Sequence, residues 1–357
     1  MGAAAGDLEA RAESGDPEAQ MALGRHYEAE QRTVLARGWY ARAAKQGSVA
    51  ALRALAINLL MEPPVVERDG INMIRAAAHK GDAEAAYVCG MLAAQDNRLP
   101  DQWSVARECL TRAADRGWES AREQLSFLDR IAAGGDPAVL TVALPVQAIS
   151  DSPRIGVIEG FASREICDWL IAQARPRVSR AMVYDMAVGG GRVEEARSNS
   201  SVVFDLVHSD IVLMLIRKRI AATAGVLPAG LEATAVLHYA PGQQFEPHVD
   251  FLDPSVSGYA ADLAENGQRV ATFLVYLNDD YEGGDTDFPE IGWRYRGRKG
   301  DALLFWNVDE SGAPDHRTLH AGMPPTTGEK WLLSQWLRRR PGMASSTSTN
   351  AGHPAKV

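Results

Sequence analysis

The chain has 357 residues, of which 46% are hydrophobic and 23% charged, and its formal net charge at pH 7 is −9. This length suffices for two domains that each have a core. The acidic balance argues against a nucleic-acid-binding protein, and no run of 18 apolar residues is present that could cross a membrane, so we expect neither partner.

The cysteines and the N-terminal residues predict the compartment. Cys89, Cys109 and Cys167 are scattered, and their spacing fits neither a disulfide framework nor a zinc site. The first residues lack a basic stretch followed by an apolar run, so we expect no secretory signal. These features together favour a cytoplasmic protein.

Residues 7–132 contain an internal repeat rich in good helix formers. Glycines at 15, 47, 81 and 117 are 32, 34 and 36 residues apart, and an Ala-Ala pair precedes three of them. Each unit is predicted to be helix, turn and helix, with the glycine ending one helix in the left-handed conformation. In three of the four units an Asp or Ser then begins the next helix. This period is typical of helical solenoids.

Two motifs add a resemblance to this pattern. Ala22-Leu23-Gly24-x-x-Tyr27 and Trp39-Tyr40-x-x-Ala43-Ala44-x-x-Gly47 resemble Sel1-like repeats, which are relatives of the tetratricopeptide repeat. Asn58-Leu59-Leu60-Met61 departs from the usual Gly-x-x-Tyr. The resemblance leaves two interpretations open, a platform that binds a protein partner or a structural support for the rest of the chain.

A break in the helical pattern separates the repeat from a second domain. Residues 133–153 are predicted to be a linker, 154–340 a second domain, and 341–357 a disordered tail. We expect the second domain to carry out its chemistry without the repeat. Ser163 is predicted to cap a helix, and the glycine-rich stretch 185–196 is predicted to be a loop that either closes over a substrate or is a plain surface loop.

Several stretches of the second domain are predicted to be strands, two because they are rich in apolar and β-branched residues and two because they are largely apolar runs. They are Thr234–Tyr239, Val270–Leu277, Ala302–Trp306 and Trp331–Trp336.

The candidate site begins with His248 and Asp250. Side chains two apart on a strand point to one face, so the two can converge on one point. With a distant histidine they would make a facial iron site, although a pair of this kind is more often structural. Both His316 and His320 follow downstream, and strand direction alone does not decide between them. Lys330 follows past a turn, and if it is buried its ammonium needs an anionic partner.

These residues together resemble a known catalytic domain. His248-x-Asp250, His320 and Lys330, with Gly283-Gly284-x-Thr286-x-Phe288-Pro289 between them, resemble the prolyl 4-hydroxylases, which are Fe(II)- and 2-oxoglutarate-dependent dioxygenases. The resemblance covers roughly residues 150 to 340. Pro325 and Phe245 depart from the usual valine and tyrosine, and neither position is a ligand.

The resemblance implies a fold, a site and an activity. The chain would be an α+β multidomain protein, with the helical solenoid followed by a double-stranded β-helix of jelly-roll type. The resemblance implies that His248, Asp250 and His320 are metal ligands, and the spacing to Lys330 favours His320 over His316. It implies that Lys330 is the catalytic-site residue that anchors 2-oxoglutarate. Further co-substrate contacts would come from Tyr239, Thr272 and Trp336, with Thr272 on the far carboxylate. L-ascorbate would support activity by reducing stray Fe(III).

The expected reaction is hydroxylation of a prolyl residue in a peptide or protein, with release of succinate and CO2. One alternative is an oxygenase with the same core that acts on another residue or a small metabolite. Another is an interaction protein with an inert barrel, whose helical repeat binds the partner.

Overall fold

The computed structural model describes residues 2–62, 65–96, 99, 101–132, 136–181, 183–185, 190–192 and 196–339. The predicted tail 341–357 and most of the predicted loop 185–196 lie outside these residues. The chain divides into two compact units, Met1–Pro137 with Leu206–Met214, and Ala138–Asp205 with Leu215–Val357. No helix among the described residues is both long and apolar enough to span a membrane.

Helices form the first unit. In chain order they are α1 (Gly2–Glu13), α2 (Pro17–Ala29), α3 (Thr33–Lys45), α4 (Val49–Met61), α5 (Glu67–His79), α6 (Ala83–Gln95), α7 (Gln102–Asp115) and α8 (Glu119–Ile131). Each helix contacts the next in the chain. The predicted helical solenoid is therefore confirmed.

The repeat glycines end helices as predicted. Gly15, Gly47, Gly81 and Gly117 have φ angles of 102°, 92°, 96° and 87°, a backbone region in which a Cβ is disfavoured. Directly after the first three of them, the side chains of Asp16, Ser48 and Asp82 accept hydrogen bonds from the first backbone N–H groups of α2, α4 and α6.

Small side chains line the contacts between these helices. Ala43, Ala77 and Ala113, the first members of the Ala-Ala pairs, have no exposed surface. Gly24 of α2 lies against the ring of Tyr40 in α3, where a Cβ would collide with the ring. The Sel1-like motifs thus keep the residues small where the helices pack closely.

A segment from the middle of the chain completes the first unit. Leu206–Met214 includes the first turn of α10 (Ile211–Ala224) and belongs to the helical unit. The hydroxyl of Tyr87 donates to the carbonyl oxygen of Ser209 at 2.6 Å, and the backbone N–H of Ile211 donates to Gln124 at 3.1 Å. The sequence does not predict this association, because the segment is far along the chain from the helices that it contacts.

Strands dominate the second unit. They are β1 (Gln147–Asp151), β2 (Arg154–Ile158), β3 (Ser179–Arg180), β4 (Val183–Asp185), β5 (Gly190–Arg192), β6 (Ser200–Phe204), β7 (Thr234–Tyr239), β8 (Phe245–His248), β9 (Gln268–Tyr276), β10 (Glu282–Gly283), β11 (Thr286–Phe288), β12 (Trp293–Tyr295), β13 (Ala302–Trp306), β14 (His320–Gly322), β15 (Pro325–Thr327) and β16 (Lys330–Arg339). Helices α9 (Arg164–Ala174) and α11 (Ala260–Asn266) accompany them.

Two antiparallel sheets position the site. The larger has the strand order β1-β2-β13-β9-β16-β7-β6-β3, and the smaller has the order β12-β11-β14-β8. Phe288 of the smaller sheet packs in one apolar cluster with Leu274, Phe305 and Leu332 of the larger. This arrangement confirms the predicted double-stranded β-helix, with the core between the sheets.

Helix α9 covers the unit with the apolar stripe predicted from the sequence. Ser163 accepts a hydrogen bond from the backbone N–H of Ile166, as expected for an N-cap. Ile166, Leu170 and Ala174 are buried, whereas Trp169 is half-buried.

Candidate metal and co-substrate site

Two neighbouring strands of the smaller sheet bring the candidate metal ligands together. His248 ends β8 and pairs directly with His320, the first residue of β14, while Asp250 follows β8 by two residues. One ligand atom from each of the three lies within 4.8 Å of the others. Among the described residues, this is the one such group of three metal-binding side chains.

Backbone carbonyl groups orient both imidazoles. Nδ1 of His248 lies 2.7 Å from the carbonyl oxygen of Glu246, and Nδ1 of His320 lies 3.0 Å from that of Thr318. A carbonyl oxygen only accepts, so each Nδ1 carries a proton, and in the neutral form of such an imidazole the lone pair lies on Nε2. These Nε2 atoms face the Asp250 carboxylate at 3.8 Å and 3.5 Å.

The protonation states suit a metal ion. Burial and the neighbouring His320 ring lower the pKa of His248 to about 3, so its imidazole is neutral at physiological pH. Burial alone would raise the pKa of Asp250, but the two histidines and a hydroxyl donor lower it, so the carboxylate is ionised. Two neutral imidazoles and one carboxylate are the ligand set of non-haem Fe(II) oxygenases.

Apolar rings surround the metal end. The ring of Phe245 stacks on His248 with centroids 3.5 Å apart, and the Phe305 ring centroid lies 4.7 Å from that of His320.

His316 lies outside this cluster of metal-binding side chains. It lies in a short 3₁₀ helix (His316–Thr318), is exposed and packs edge-on against Phe251. The structure therefore brings His320, and not His316, to Asp250.

Lys330 lies in the same cavity, which it lines together with His248, Asp250 and His320. Its side chain has no exposed surface, and its Nζ donates to the carbonyl oxygen of Gly284 at 2.7 Å. No carboxylate among the described residues pairs with this ammonium. Burial lowers the pKa of Lys330 to about 7, opposed by the charge of Asp285.

The Gly-Gly pair explains how the backbone reaches Lys330. Gly284 has a φ of 70°, and a Cβ at this position would lie 2.8 Å from the ring of Tyr281 and 3.5 Å from Cδ of Lys330. A side chain here would therefore displace the Tyr281 ring, while Lys330 lies at ordinary contact distance.

Tyr239 and Trp336, which the resemblance predicts to contact the co-substrate, line the cavity. The Lys330 Nζ lies 5.3 Å from the centroid of the Tyr239 ring, and burial raises the pKa of that phenol to about 12, so it is a neutral donor. Trp336 lies six residues along β16 from Lys330 and pairs with Thr272, whose hydroxyl donates to Asp250. Trp336 is therefore placed near the metal ligands.

The structure corrects the role predicted for Thr272. Its hydroxyl donates to Oδ2 of Asp250 at 2.7 Å and accepts from Nδ2 of Asn307 at 3.0 Å, so it holds the metal carboxylate and not the far carboxylate of a co-substrate. The physical reason is strand register. In β16, Trp336 pairs with Thr272, whereas Leu332, near Lys330, pairs with Tyr276.

The sequence analysis missed the hydroxyl groups at the Lys330 end. Tyr276 Oη lies 2.8 Å from Oγ1 of Thr286, and the Tyr276 ring centroid is 5.7 Å from the Lys330 Nζ. Thr286 lines the cavity. The glycine-rich motif already contained Thr286, and its adjacency to Gly284 was the available signal.

Arg197 adds a positive charge near the metal end. It lines the cavity, its guanidinium lies 4.7 Å above the Phe245 ring, and its Nε donates to Asn199. Burial lowers its pKa from the ordinary arginine value. The cavity thus carries cationic groups from Lys330 and Arg197 beside a single metal carboxylate, which suits an anionic ligand.

Comparison with known proteins gives the same picture. A model of the 2OG-Fe(II) oxygenase superfamily matches residues 234–338, which include all three candidate metal ligands and Lys330. Prolyl 4-hydroxylase 1 of Arabidopsis thaliana is 33% identical over 259 residues, covering 68% of this chain and 88% of the relative. Prolyl 4-hydroxylase 5 of the same plant is 34% identical over 211 residues, covering 54% and 70%.

Two solved structures are similar to portions of the chain. The viral collagen prolyl hydroxylase of Paramecium Bursaria Chlorella virus-1, solved with 2OG, is 26% identical and covers 53% of this chain and 98% of its own, with a TM-score of 0.41. A Sel1 repeat protein from Oxalobacter formigenes is 28% identical and covers 34% and 95%, with a TM-score of 0.30.

Proposed function

The chain belongs to the prolyl 4-hydroxylases of the 2OG-Fe(II) oxygenase superfamily, and we propose that it hydroxylates prolyl residues of a peptide or protein. It is thus a 2-oxoglutarate-dependent dioxygenase. One observation carries the assignment of its co-substrate. A fully buried ammonium, Lys330, shares a cavity with a His-Asp-His cluster and lacks a carboxylate partner among the described residues.

The donor set fits Fe(II). Nε2 of His248, Nε2 of His320 and a carboxylate oxygen of Asp250 would hold the ion, and their separations require only small adjustments. Three protein ligands leave open positions for a chelating co-substrate. The apolar rings of Phe245 and Phe305 pack against His248 and His320 at this end of the cavity.

The other end fits the far carboxylate of 2-oxoglutarate. Lys330 would supply the charge, and the hydroxyl groups of Thr286 and Tyr239 are placed to donate hydrogen bonds. An unpaired ammonium in a buried site is costly, and a bound carboxylate would remove that cost.

When bound, iron and 2-oxoglutarate supply the oxidant that inserts oxygen into a C–H bond, with release of succinate and CO2. The residues of this chain bind and orient. Main-chain carbonyl groups fix the imidazole tautomers, Thr272 holds Asp250, and Lys330 sets the direction of the co-substrate.

Further properties belong to the proposal. L-ascorbate would restore iron that has been oxidised without substrate turnover. The substrate is proposed to be a peptide or protein, and the helical repeat to bind a protein partner. We propose a cytoplasmic location, because three free cysteines are typical of proteins in a reducing compartment.

A coupled assay tests the proposal. We expect the protein with Fe(II), 2-oxoglutarate and ascorbate to release succinate faster when a proline-rich peptide is added, and the peptide to gain one oxygen atom by mass spectrometry. Amino-acid analysis then shows whether 4-hydroxyproline has formed.

The controls separate the alternatives. An unmodified peptide with peptide-independent succinate release would favour an oxygenase that acts on another residue or a small metabolite. No succinate under any condition, with metal bound, would favour the inert barrel. The Asp250→Ala variant reports background turnover.

A further inference from the structure

We propose that Thr272 and Asn307 are positioning residues that orient the Asp250 carboxylate for metal binding. The inference rests on the proposed metal site and concerns two residues outside the ligand set. It assigns to Thr272 a task other than contact with the co-substrate.

Three buried side chains form a linear chain of hydrogen bonds, called the relay below. Oδ2 of Asp250 accepts from the hydroxyl of Thr272 at 2.7 Å, and Oγ1 of Thr272 accepts from Nδ2 of Asn307 at 3.0 Å. The exposed fractions of Asp250, Thr272 and Asn307 are 4%, 1% and 0%, so water does not compete for these hydrogen bonds.

The direction of each hydrogen bond follows from the number of protons. Ionised Asp250 only accepts, so the single hydroxyl proton of Thr272 must point to the carboxylate. The other neighbour of the hydroxyl must then be a donor. Asn307 meets this requirement by presenting its NH2 group, while its Oδ1 has no partner among the described residues.

The backbone holds Asn307 in place. Its N–H donates to the carbonyl oxygen of Val270, and its carbonyl oxygen accepts from the N–H of Asp315, both at 2.9 Å. It directly follows β13, which pairs with β9, the strand of Thr272. The amide is thus fixed beside Thr272 by a main-chain anchor on each side.

Asp250 needs this support because its own backbone lies beyond the end of β8. Without a donor on Oδ2, its carboxylate could rotate about the last side-chain bond, because that torsion is broad. A fixed rotation keeps the carboxylate facing both Nε2 atoms. Partners of metal ligands typically account for about 10–100-fold in metal affinity.

Metal affinity in the full-length protein tests the relay without turnover. Co(II) is titrated anaerobically in the absence of 2-oxoglutarate, and binding is followed by visible absorption. We expect Thr272→Val to bind Co(II) about 10–100-fold more weakly and Thr272→Ser to remain close to wild type, because serine keeps the hydroxyl.

Asn307→Asp tests the second step of the relay. It keeps the shape but places an acceptor against the hydroxyl, so it competes with Asp250 for the single proton. We expect weaker Co(II) binding here as well. Should Thr272→Val fail to fold, the Asn307→Asp and Thr272→Ser titrations decide.

Thr234→Val is the matched control. Thr234 is also a fully buried hydroxyl of the larger sheet, and it donates to Gln335 at 2.6 Å, away from the metal ligands. We expect this variant to lose thermal stability while keeping wild-type Co(II) affinity.

Two results would overturn the inference. One is wild-type Co(II) affinity in Thr272→Val, or in Asn307→Asp where Thr272→Val does not fold. The other is a folded Thr272→Ser that binds as weakly as Thr272→Val, because then packing and not the hydroxyl matters. Failure to hydroxylate a peptide, with the Co(II) differences intact, would count against the proposed function alone.

Discussion

The Nζ atom of Lys330 lies 2.7 Å from the carbonyl oxygen of Gly284, its one hydrogen-bond acceptor among the described residues. A buried ammonium whose only acceptor is a neutral carbonyl group lacks an anionic partner, and this costs free energy. The residue therefore serves binding at the expense of stability.

Replacing Lys330 by methionine should weaken 2-oxoglutarate binding and leave the metal site intact. Removing one member of a buried charge pair costs about 3–5 kcal/mol. At about 1.4 kcal/mol per tenfold, this corresponds to two to three or more orders of magnitude in affinity. Titration of 2-oxoglutarate into the anaerobic Fe(II) protein, followed by the charge-transfer band, measures the change.

Two further variants, one at Lys330 and one at an exposed lysine, serve as comparisons for that titration. Lys330→Arg keeps the charge but should bind poorly, because a planar guanidinium is wider than an ammonium. Lys45→Met, on the exposed end of α3, is the matched control and should bind like wild type. An unchanged titration midpoint in Lys330→Met would remove this residue from the site.

Binding of 2-oxoglutarate should take up a proton above neutral pH. The pKa of Lys330 is lowered from 10.5 to about 7 by burial, with Asp285 opposing, and the aromatic rings of Tyr239 and Tyr276 face the ammonium. A bound carboxylate favours the charged form, so apparent affinity should fall as pH rises above about 7. Calorimetry at pH 8.5 in buffers of different ionisation enthalpy counts the protons.

The lowered pKa of Lys330 also makes the free energy of unfolding depend on pH. Between about pH 7 and 10.5 the unfolded chain keeps this lysine protonated while the folded chain does not. The unfolded state then binds more protons, so this residue makes the free energy of unfolding rise with pH across that window. Lys330→Met should lack both the proton uptake on 2-oxoglutarate binding and this rise of the free energy of unfolding with pH. Equal proton uptake in wild type and variant would contradict the prediction.

Alanine at His248, Asp250 or His320 should abolish metal-dependent turnover, because each supplies a ligand atom to the cluster. His316→Ala is the matched control, since its exposed ring packs on Phe251 and lies outside the cluster. It should keep most activity. Succinate release and anaerobic Fe(II) binding are the measurements, and turnover in His320→Ala with its loss in His316→Ala would reverse the assignment.

A chain that begins at Ala138 should be less stable than the full chain. It keeps Leu206–Met214 but lacks the helices with which this segment forms a unit. Ile211, Val212 and Leu213 are at most 2% exposed, and burying such side chains contributes about 1.5–3 kcal/mol each. Exposing even part of this apolar surface is a substantial loss against the about 5–15 kcal/mol by which a typical domain is stable.

Thermal unfolding and solubility of this fragment test the prediction, which departs from the expectation that the repeat is dispensable. Adding the separate helical fragment should raise solubility if the loss of this packing is the cause. A fragment that melts at the temperature of the full chain would contradict it.

Local patterns in the sequence determined much of this protein. The glycine period predicted the helical repeat, because a left-handed cap at the end of a helix strongly favours glycine. His248 and Asp250 were predicted to converge because alternate residues of a strand share a face. The spacing from His320 to Lys330 identified the remaining candidates by resemblance to a family.

Tertiary structure alone decided which partner each side chain meets. Thr272 lies on a predicted strand, but the pairing of β9 with β16 places it beside Asp250 and leaves Tyr276 near Lys330. Asn307 joins these hydrogen bonds from the position directly after β13. Leu206–Met214 belongs to the helical unit although it lies within the second half of the chain. Register between distant strands and packing between distant segments depend on the whole fold, so local periodicity cannot predict them.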